Sequence, residues 1–162
     1  MASNRPVKLD AWGISWEEYK ELSYFCLQYS RKKKDAAALL TLRISTPPPA
    51  VVKEGGKEYG VFLPRGTGGP GDPVSAAAMR RERLLKDVRM IDSACRAAVD
   101  GEAMGEARDA LEACLRRAVT TRGGVEDAFE ACKPPIGKRQ FYAIRRKFYW
   151  ILREMRMGDL EP

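Results

Sequence analysis

Lys133-Pro-Pro-Ile-Gly-Lys-Arg-Gln-Phe-Tyr-Ala-Ile-Arg-Arg-Lys-Phe-Tyr-Trp-Ile-Leu-Arg153 is the stretch that decides the fold of the C-terminal part of the chain. In a helix over residues 138–155, apolar residues recur at intervals of three and four and form one continuous seam: Phe141, Ile144, Phe148, Ile151 and Met155. At about 100° per residue, cations and tyrosines collect on the other side: Lys138, Arg139, Tyr142, Arg145, Arg146, Tyr149 and Arg153. The pattern predicts an amphipathic helix with a buried aromatic seam and a basic outer face.

The residues before this helix predict a second, shorter helix and a tight turn. Pro134-Pro135 excludes helix up to that point, and Gly137 can adopt the dihedral angles of a turn. Upstream, the run from Val125 to Cys132 has apolar residues at i, i+3, i+4 and i+7, which is typical of a short helix. A short helix, a turn and a longer basic helix follow one another in a helix-turn-helix, where the second helix enters the major groove.

The net charge favours a polyanionic partner. The 162 residues include 29 Lys and Arg against 22 Asp and Glu, which gives a formal charge of +7. No acidic residue occurs between Glu130 and Glu154, so the positive charge is concentrated on the terminal helix. The excess argues against a DNA mimic, which would be acidic. A basic helix face that is only solvated stays open as the alternative.

Histidine and cysteine usage argues against a metal site and against an enzyme. The chain has no histidine, and its four cysteines stand singly, without a CxxC pair. We therefore expect no metal, no cofactor, and reduced, buried thiols in a reducing cytosol. Without histidine, acid–base catalysis would need a tuned carboxylate or lysine, and no second motif accompanies the acidic residues. No signal peptide or membrane span is recognisable.

The rest of the chain predicts an all-α fold interrupted by one irregular segment. Residues 1–45 form an N-terminal helical region that opens with a capping box at Ser15 and Glu18, and residues 74–162 form a helical bundle with the C-terminal helix-turn-helix. Residues 46–73 are rich in Pro and Gly and form a loop or linker, within which 51–52 and 59–63 can pair as a small β-hairpin. The cluster Arg31–Lys34 is predicted to be a solvated helix end, and phosphate contacts from it stay open as the alternative.

Two stretches resemble a family of small prophage proteins. They are Val119-Thr-Thr-Arg-Gly-Gly-Val-Glu-Asp-Ala-Phe129 with Pro135–Leu152, and the N-terminal block Trp12-Gly-Ile-Ser-Trp-Glu-Glu-Tyr-Lys-Glu-Leu-Ser-Tyr-Phe-Cys26. The closing helix pair is similar to that of the RinA and ArpU type of phage late-gene transcription regulators. The resemblance implies a DNA-binding regulator that reads duplex DNA with its last helix, in the cytoplasm of a bacterial host cell.

The same resemblance implies roles for individual residues. Lys138, Arg139, Gln140, Tyr142 and Arg146 would face the groove, Arg145, Tyr149 and Arg153 would contact the phosphate backbone, and Lys133 would lie on the turn. Arg139 and Gln140 are the candidates for base reading, because arginine pairs bidentately with guanine and glutamine with adenine.

Two other functions remain open from the sequence. One is an anti-CRISPR-like inhibitor that binds a host defence nuclease or its RNA, which a stoichiometric host protein partner would indicate. The other is a small terminase-like packaging protein, which requires a ring-like oligomer that light scattering would detect. The oligomeric state does not follow from the sequence.

Overall fold

The described part of the chain is a predominantly helical structure with one small hairpin. The computed structural model describes residues 9–41, 50–54, 57–61 and 73–158. Within these ranges, a 3-10 turn (Asp10–Trp12) precedes six α-helices and two strands: α1 (Trp16–Leu27), α2 (Tyr29–Thr41), β1 (Ala50–Glu54), β2 (Lys57–Val61), α3 (Pro73–Val99), α4 (Gly105–Thr120), α5 (Gly124–Cys132) and α6 (Lys138–Met157). The predicted all-α class is confirmed.

The N-terminal helix begins with the predicted capping box. The Ser15 side chain accepts a hydrogen bond from the Glu18 amide at 3.2 Å, and the Glu18 carboxylate accepts one from the Ser15 amide at 2.7 Å. These two bonds satisfy amide groups that the first helical turn leaves without partners. Helix α1 then buries Leu22 and Cys26 against α4 and α6, so the N-terminal region shares one core with the C-terminal helices.

The long helix α3 is the central element of the core. Its C-terminal half buries an apolar face that packs against α4 and α6: Val88, Met90, Ile91, Ala94, Cys95, Ala98 and Val99. Its N-terminal half, from Val74 to Lys86, contains no fully buried side chain and packs mainly on α2. Pro73 begins the helix, at the first helical position where the amide that proline lacks would have no partner in the helix.

The cluster Arg31–Lys34 is not uniformly a solvated helix end. Lys32 is only 9 % exposed, and its Nζ lies 2.6 Å from Oδ2 of Asp87 on α3 and 4.2 Å from the centre of the Phe25 ring. The expectation is wrong for Lys32, because α2 packs along α3 and encloses this side chain between the two helices. Arg31, Lys33 and Lys34 are exposed.

The middle of the chain contains an antiparallel hairpin. Strands β1 and β2 pair from Ala50 with Val61 to Glu54 with Lys57, in the region where the sequence allows a hairpin. The remainder of the predicted Pro/Gly-rich loop, residues 46–49, 55–56 and 62–72, lies outside the described residues. Among the described helices, none combines the length and the apolar character that crossing a bilayer demands.

Candidate nucleic-acid interface

Helix α6 carries the candidate interface and is fixed by the buried seam that the sequence predicts. Phe141, Ile144, Phe148, Ile151 and Met155 are all buried, as expected. The helix begins at Lys138 and ends at Met157, followed by Gly158 in the left-handed conformation. Its main packing partner is α3, and α5 packs mainly on α4. One ring pair joins the last two helices, since Phe129 of α5 meets Phe141 edge to face with centroids 5.7 Å apart.

Tyr149 does not lie on the outer face, and its predicted position there is wrong. Its side chain is 1 % exposed, and its ring meets Tyr19 of α1 edge to face at a centroid distance of 5.0 Å. Helix α1 packs beside the apolar seam and covers a further part of the α6 surface. The buried side of α6 therefore includes Tyr149. Burial accordingly raises the pKa of the Tyr149 hydroxyl. From this position Tyr149 cannot contact a phosphate.

Arg145 also lies under α1 and faces the protein. Its guanidinium donates a hydrogen bond of 3.0 Å to the Tyr19 hydroxyl and lies 5.6 Å from the centre of the Tyr149 ring. The prediction that Arg145 lies on the open basic face is therefore wrong. Arginine tolerates this half-buried position because its hydration is weak and its planar group stacks on aromatic rings.

The first turn of α6 is tied to α5 through Glu126. Lys138 Nζ lies 2.6 Å from Glu126 Oε2, and the Tyr142 hydroxyl donates to Oε1 at 3.2 Å. The hydrogen bond from Lys138, followed by that from Tyr142, lowers the pKa of Glu126, and the same contact raises the pKa of Lys138. These two predicted DNA contacts thus already have an acidic partner on the protein.

Other predicted contacts are paired along the two edges of α6. On one edge, Arg153 Nε lies 3.2 Å from Glu18 Oε1, and Arg153 Nη1 lies 3.1 Å from Glu154 Oε1. On the other edge, Gln140 donates to Glu102 at 3.1 Å. The outer face of α6 is therefore bordered on both sides by hydrogen bonds to carboxylates.

Between these edges runs a row of residues that we call the outward stripe: Arg139, Ala143, Arg146 and Trp150. They follow one another at intervals of four, three and four residues and hence share one side of the helix. Arg139 and Ala143 are exposed, and Arg146 and Trp150 are half-buried. Neither Arg139 nor Arg146 forms an ion pair or hydrogen bond with any residue in the described ranges.

Lys133 lies in the connection between the two helices, as predicted. It caps α5 in the left-handed conformation, with φ 45° and ψ 60°, and its side chain is exposed. Four cations among the nine predicted site residues lack an acidic partner in the described ranges: Lys133, Arg139, Arg145 and Arg146. Of these, Arg145 donates to the Tyr19 hydroxyl, whereas the side chains of Lys133, Arg139 and Arg146 form no hydrogen bond with a described residue.

Two features of the interface were not predicted from the sequence. Ala143 is an exposed small residue between the two arginines, and Trp12 packs on Trp150 with ring centroids 6.1 Å apart. The four-residue spacing from Arg146 to Trp150 is visible in the sequence and would have placed both on one side of the helix. The contact from Trp12 joins residues far apart in the chain and has no local signal.

Comparison with known proteins adds no assignment: no family model, curated protein or solved structure matches this chain.

Proposed function

We propose that this chain is a phage-type DNA-binding protein, and a transcription regulator, that contacts duplex DNA through the outward stripe of α6. The observation that carries the proposal is the pair Arg139 and Arg146, two arginines on one side of a helix without an acidic partner in the described structure. Arginine side chains that protein carboxylates do not neutralise are available for phosphate oxygens and guanine edges.

The shape of the stripe supports this proposal. Arg139 and Arg146 are separated by about 10 Å along the helix axis, which is two turns. Because Ala143 between them is small and exposed, the helix can approach a groove without a bulky side chain in the way. The exposed Lys133 in the preceding connection adds a positive charge on the side of the helix N-terminus.

The order of elements supports a helix-turn-helix arrangement. The nine-residue α5 is followed by a connection over 133–137 and then by the twenty-residue α6. In this arrangement the N-terminal residues of the second helix contact the base edges. Arg139 is the second residue of α6 and is our candidate for base reading. Lys138, Gln140 and Tyr142 contact DNA in this proposal only after they exchange their carboxylate partners.

The proposal is tested by measuring the affinity of the full chain for random-sequence duplex DNA by fluorescence anisotropy, between about 50 and 200 mM salt. We expect Arg139→Glu to weaken binding at least about tenfold, since one contact with DNA is lost and a repulsive charge is introduced. Selection of bound sequences from the random pool then reports specificity, which Arg139→Ala should relax at one position.

Arg89→Glu is the matched control. Arg89 is exposed on α3 and pairs with Glu82 at 2.9 Å, so its replacement changes the net charge equally at another surface. If Arg139→Glu and Arg89→Glu weaken binding to the same extent, the attraction is a property of net charge and the stripe is not the interface. Lack of salt-dependent binding by the unaltered chain would refute DNA binding altogether.

A second candidate, a phage-encoded inhibitor of a host nuclease, is favoured by exposed apolar side chains on α2 and α3. Leu40 is 66 % and Met79 is 62 % exposed, in the part of the structure where α3 packs mainly on α2. Exposed apolar residues of this kind are typical of protein contacts when they cluster. A stoichiometric partner that the chain retains, and that Met79→Glu loses while DNA affinity stays unchanged, would support this function.

A further inference from the structure

The C-terminal end of the outward stripe carries a pair of tryptophans. Trp12, from the turn before α1, lies against Trp150 of α6, with ring centroids 6.1 Å apart and ring planes tilted by 51°. Trp12 remains 37 % exposed, although it is one of the largest apolar side chains in the chain. The pair therefore presents an accessible aromatic surface directly beside the cations of the stripe.

The position of the pair relative to Arg146 matters for its chemistry. Trp150 follows Arg146 by four residues, which corresponds to about 6 Å along the helix axis and nearly the same direction from it. A phosphate held by Arg146 would carry its nucleotide within reach of the two rings. Aromatic side chains that alternate with cations are the arrangement with which proteins bind unpaired nucleotides, by stacking and charge together.

The geometry points to a base-stacking site in which Trp12 and Trp150 take an unpaired base of DNA whose phosphate lies on Arg146. This inference rests on the proposed function and names the class of DNA that the same surface prefers, namely duplex DNA with a locally opened segment. In an intact duplex the bases are stacked on one another, and the rings have access only to the grooves.

The charges beside the pair favour a nucleic acid over a protein as the occupant. The two charged residues of the outward stripe, Arg146 and Arg139, are positive and have no described acidic partner. The nearby Arg153 is already paired with Glu18 and Glu154, so these two carboxylates are engaged. An aromatic surface that lies next to unpaired arginines complements a nucleotide, in which a base is linked to a phosphate.

The experiment compares two DNA molecules that differ only in pairing. The full chain is titrated with a fluorescently labelled duplex and with the same duplex carrying a short internal run of mismatches. We expect the opened DNA to bind about tenfold more tightly than the intact duplex, because one or two stacked bases contribute this much. Trp12→Leu should remove this preference, and Trp12→Phe should retain most of it.

Trp16→Leu is the matched control. Trp16 is 48 % exposed, but its ring stacks on Tyr19 at 5.4 Å, lies under the Lys20 ammonium and forms no ring contact with Trp12 or Trp150. Its replacement should leave the preference unchanged. Single-stranded oligothymidine should also quench the tryptophan fluorescence of the unaltered chain, a readout that does not depend on the folding of any variant.

The outcomes separate this inference from the proposed function. If neither DNA binds, the proposed function fails. If both DNA molecules bind equally, or if Trp16→Leu loses the preference as Trp12→Leu does, DNA binding stands and the stacking site is refuted. Lack of fluorescence quenching by oligothymidine would refute the stacking site as well, and would leave the tryptophan pair as a contact for another protein.

Discussion

Lys138 Nζ and Glu126 Oε2 lie 2.6 Å apart across the connection between α5 and α6. The two side chains are both 52 % exposed, so the ion pair is accessible to solvent and to a ligand. The same carboxylate accepts a hydrogen bond from Tyr142, and one acidic group thus occupies two side chains that were predicted to contact DNA. Glu126 competes with phosphate for Lys138 in the proposed function.

Replacement of Glu126 by Gln should therefore strengthen DNA binding. Release of Lys138 for one phosphate contact would steepen the dependence of log Kd on log salt concentration by about 0.9. We expect the affinity for duplex DNA to rise roughly three- to tenfold at low salt, measured by anisotropy. Glu106→Gln is the control, since Glu106 is exposed and lies in the first turn of α4, as Glu126 does in α5. An equal gain in both variants would show an effect of net charge only.

The ion pair should also be visible in the titration of Glu126. Its pKa is lowered first by the hydrogen bond from Lys138 and next by that from Tyr142. A depressed folded-state pKa means that the contribution of Glu126 to stability is present above the ordinary carboxyl range and is lost as the pH falls through the folded-state pKa. NMR titration of the side-chain carboxyl should give a midpoint below that of an unperturbed glutamate, and Lys138→Met should shift this midpoint upward. If Lys138→Met left the Glu126 midpoint unchanged, this result would contradict the pairing of the two side chains in solution.

Tyr149 should matter for stability and not directly for DNA binding. Removal of a fully buried aromatic ring leaves a cavity, so Tyr149→Ala should lower the free energy of unfolding by about 3–5 kcal/mol in a denaturant titration. Tyr149→Phe keeps the ring and should leave the DNA affinity unchanged. If Tyr149→Phe weakened DNA binding while the protein remained folded, the hydroxyl would have to reach the DNA and the buried position would be refuted.

The sequence predicts those features that are local and fails for those that depend on distant contacts. The seam of α6 and the capping box at Ser15 follow from spacings within one helix, and both are confirmed. The prediction fails for Tyr149 because its burial depends on α1, which covers one side of α6 and whose Tyr19 lies about 130 residues earlier in the chain. The pairing of Lys138 with Glu126 depends in the same way on how the connection at 133–137 orients two helices, and helix periodicity alone does not determine that orientation.

Lys133 should be replaceable by Gly with a gain in stability. It is the non-glycine residue with positive φ in the described structure, and its left-handed conformation at the end of α5 is one that glycine adopts without steric cost. Lys133→Gly should raise the free energy of unfolding by about 1 kcal/mol, whereas Lys133→Ala should give no such gain. Both variants lose the same charge, so both should weaken DNA binding equally if Lys133 contacts phosphate. A gain for Lys133→Ala equal to that for Lys133→Gly would show that the conformation is not the cause.

Lys32 and Asp87 form a part-buried ion pair, and the stability of the fold should respond unequally to the loss of one partner or the other. Asp87→Ala leaves the enclosed Lys32 ammonium without its carboxylate and should lower the free energy of unfolding by about 2 kcal/mol. The loss stays below the 3–5 kcal/mol typical of fully buried pairs because the Asp87 side chain is about one third exposed. Lys32→Met removes the buried charge, keeps the contact with the Phe25 ring and should be close to neutral. When Asp87→Ala is combined with Lys32→Met, its effect on the free energy of unfolding should largely disappear. If Asp87→Ala lowered this free energy just as much in the double variant, Asp87 would stabilise the fold through another contact.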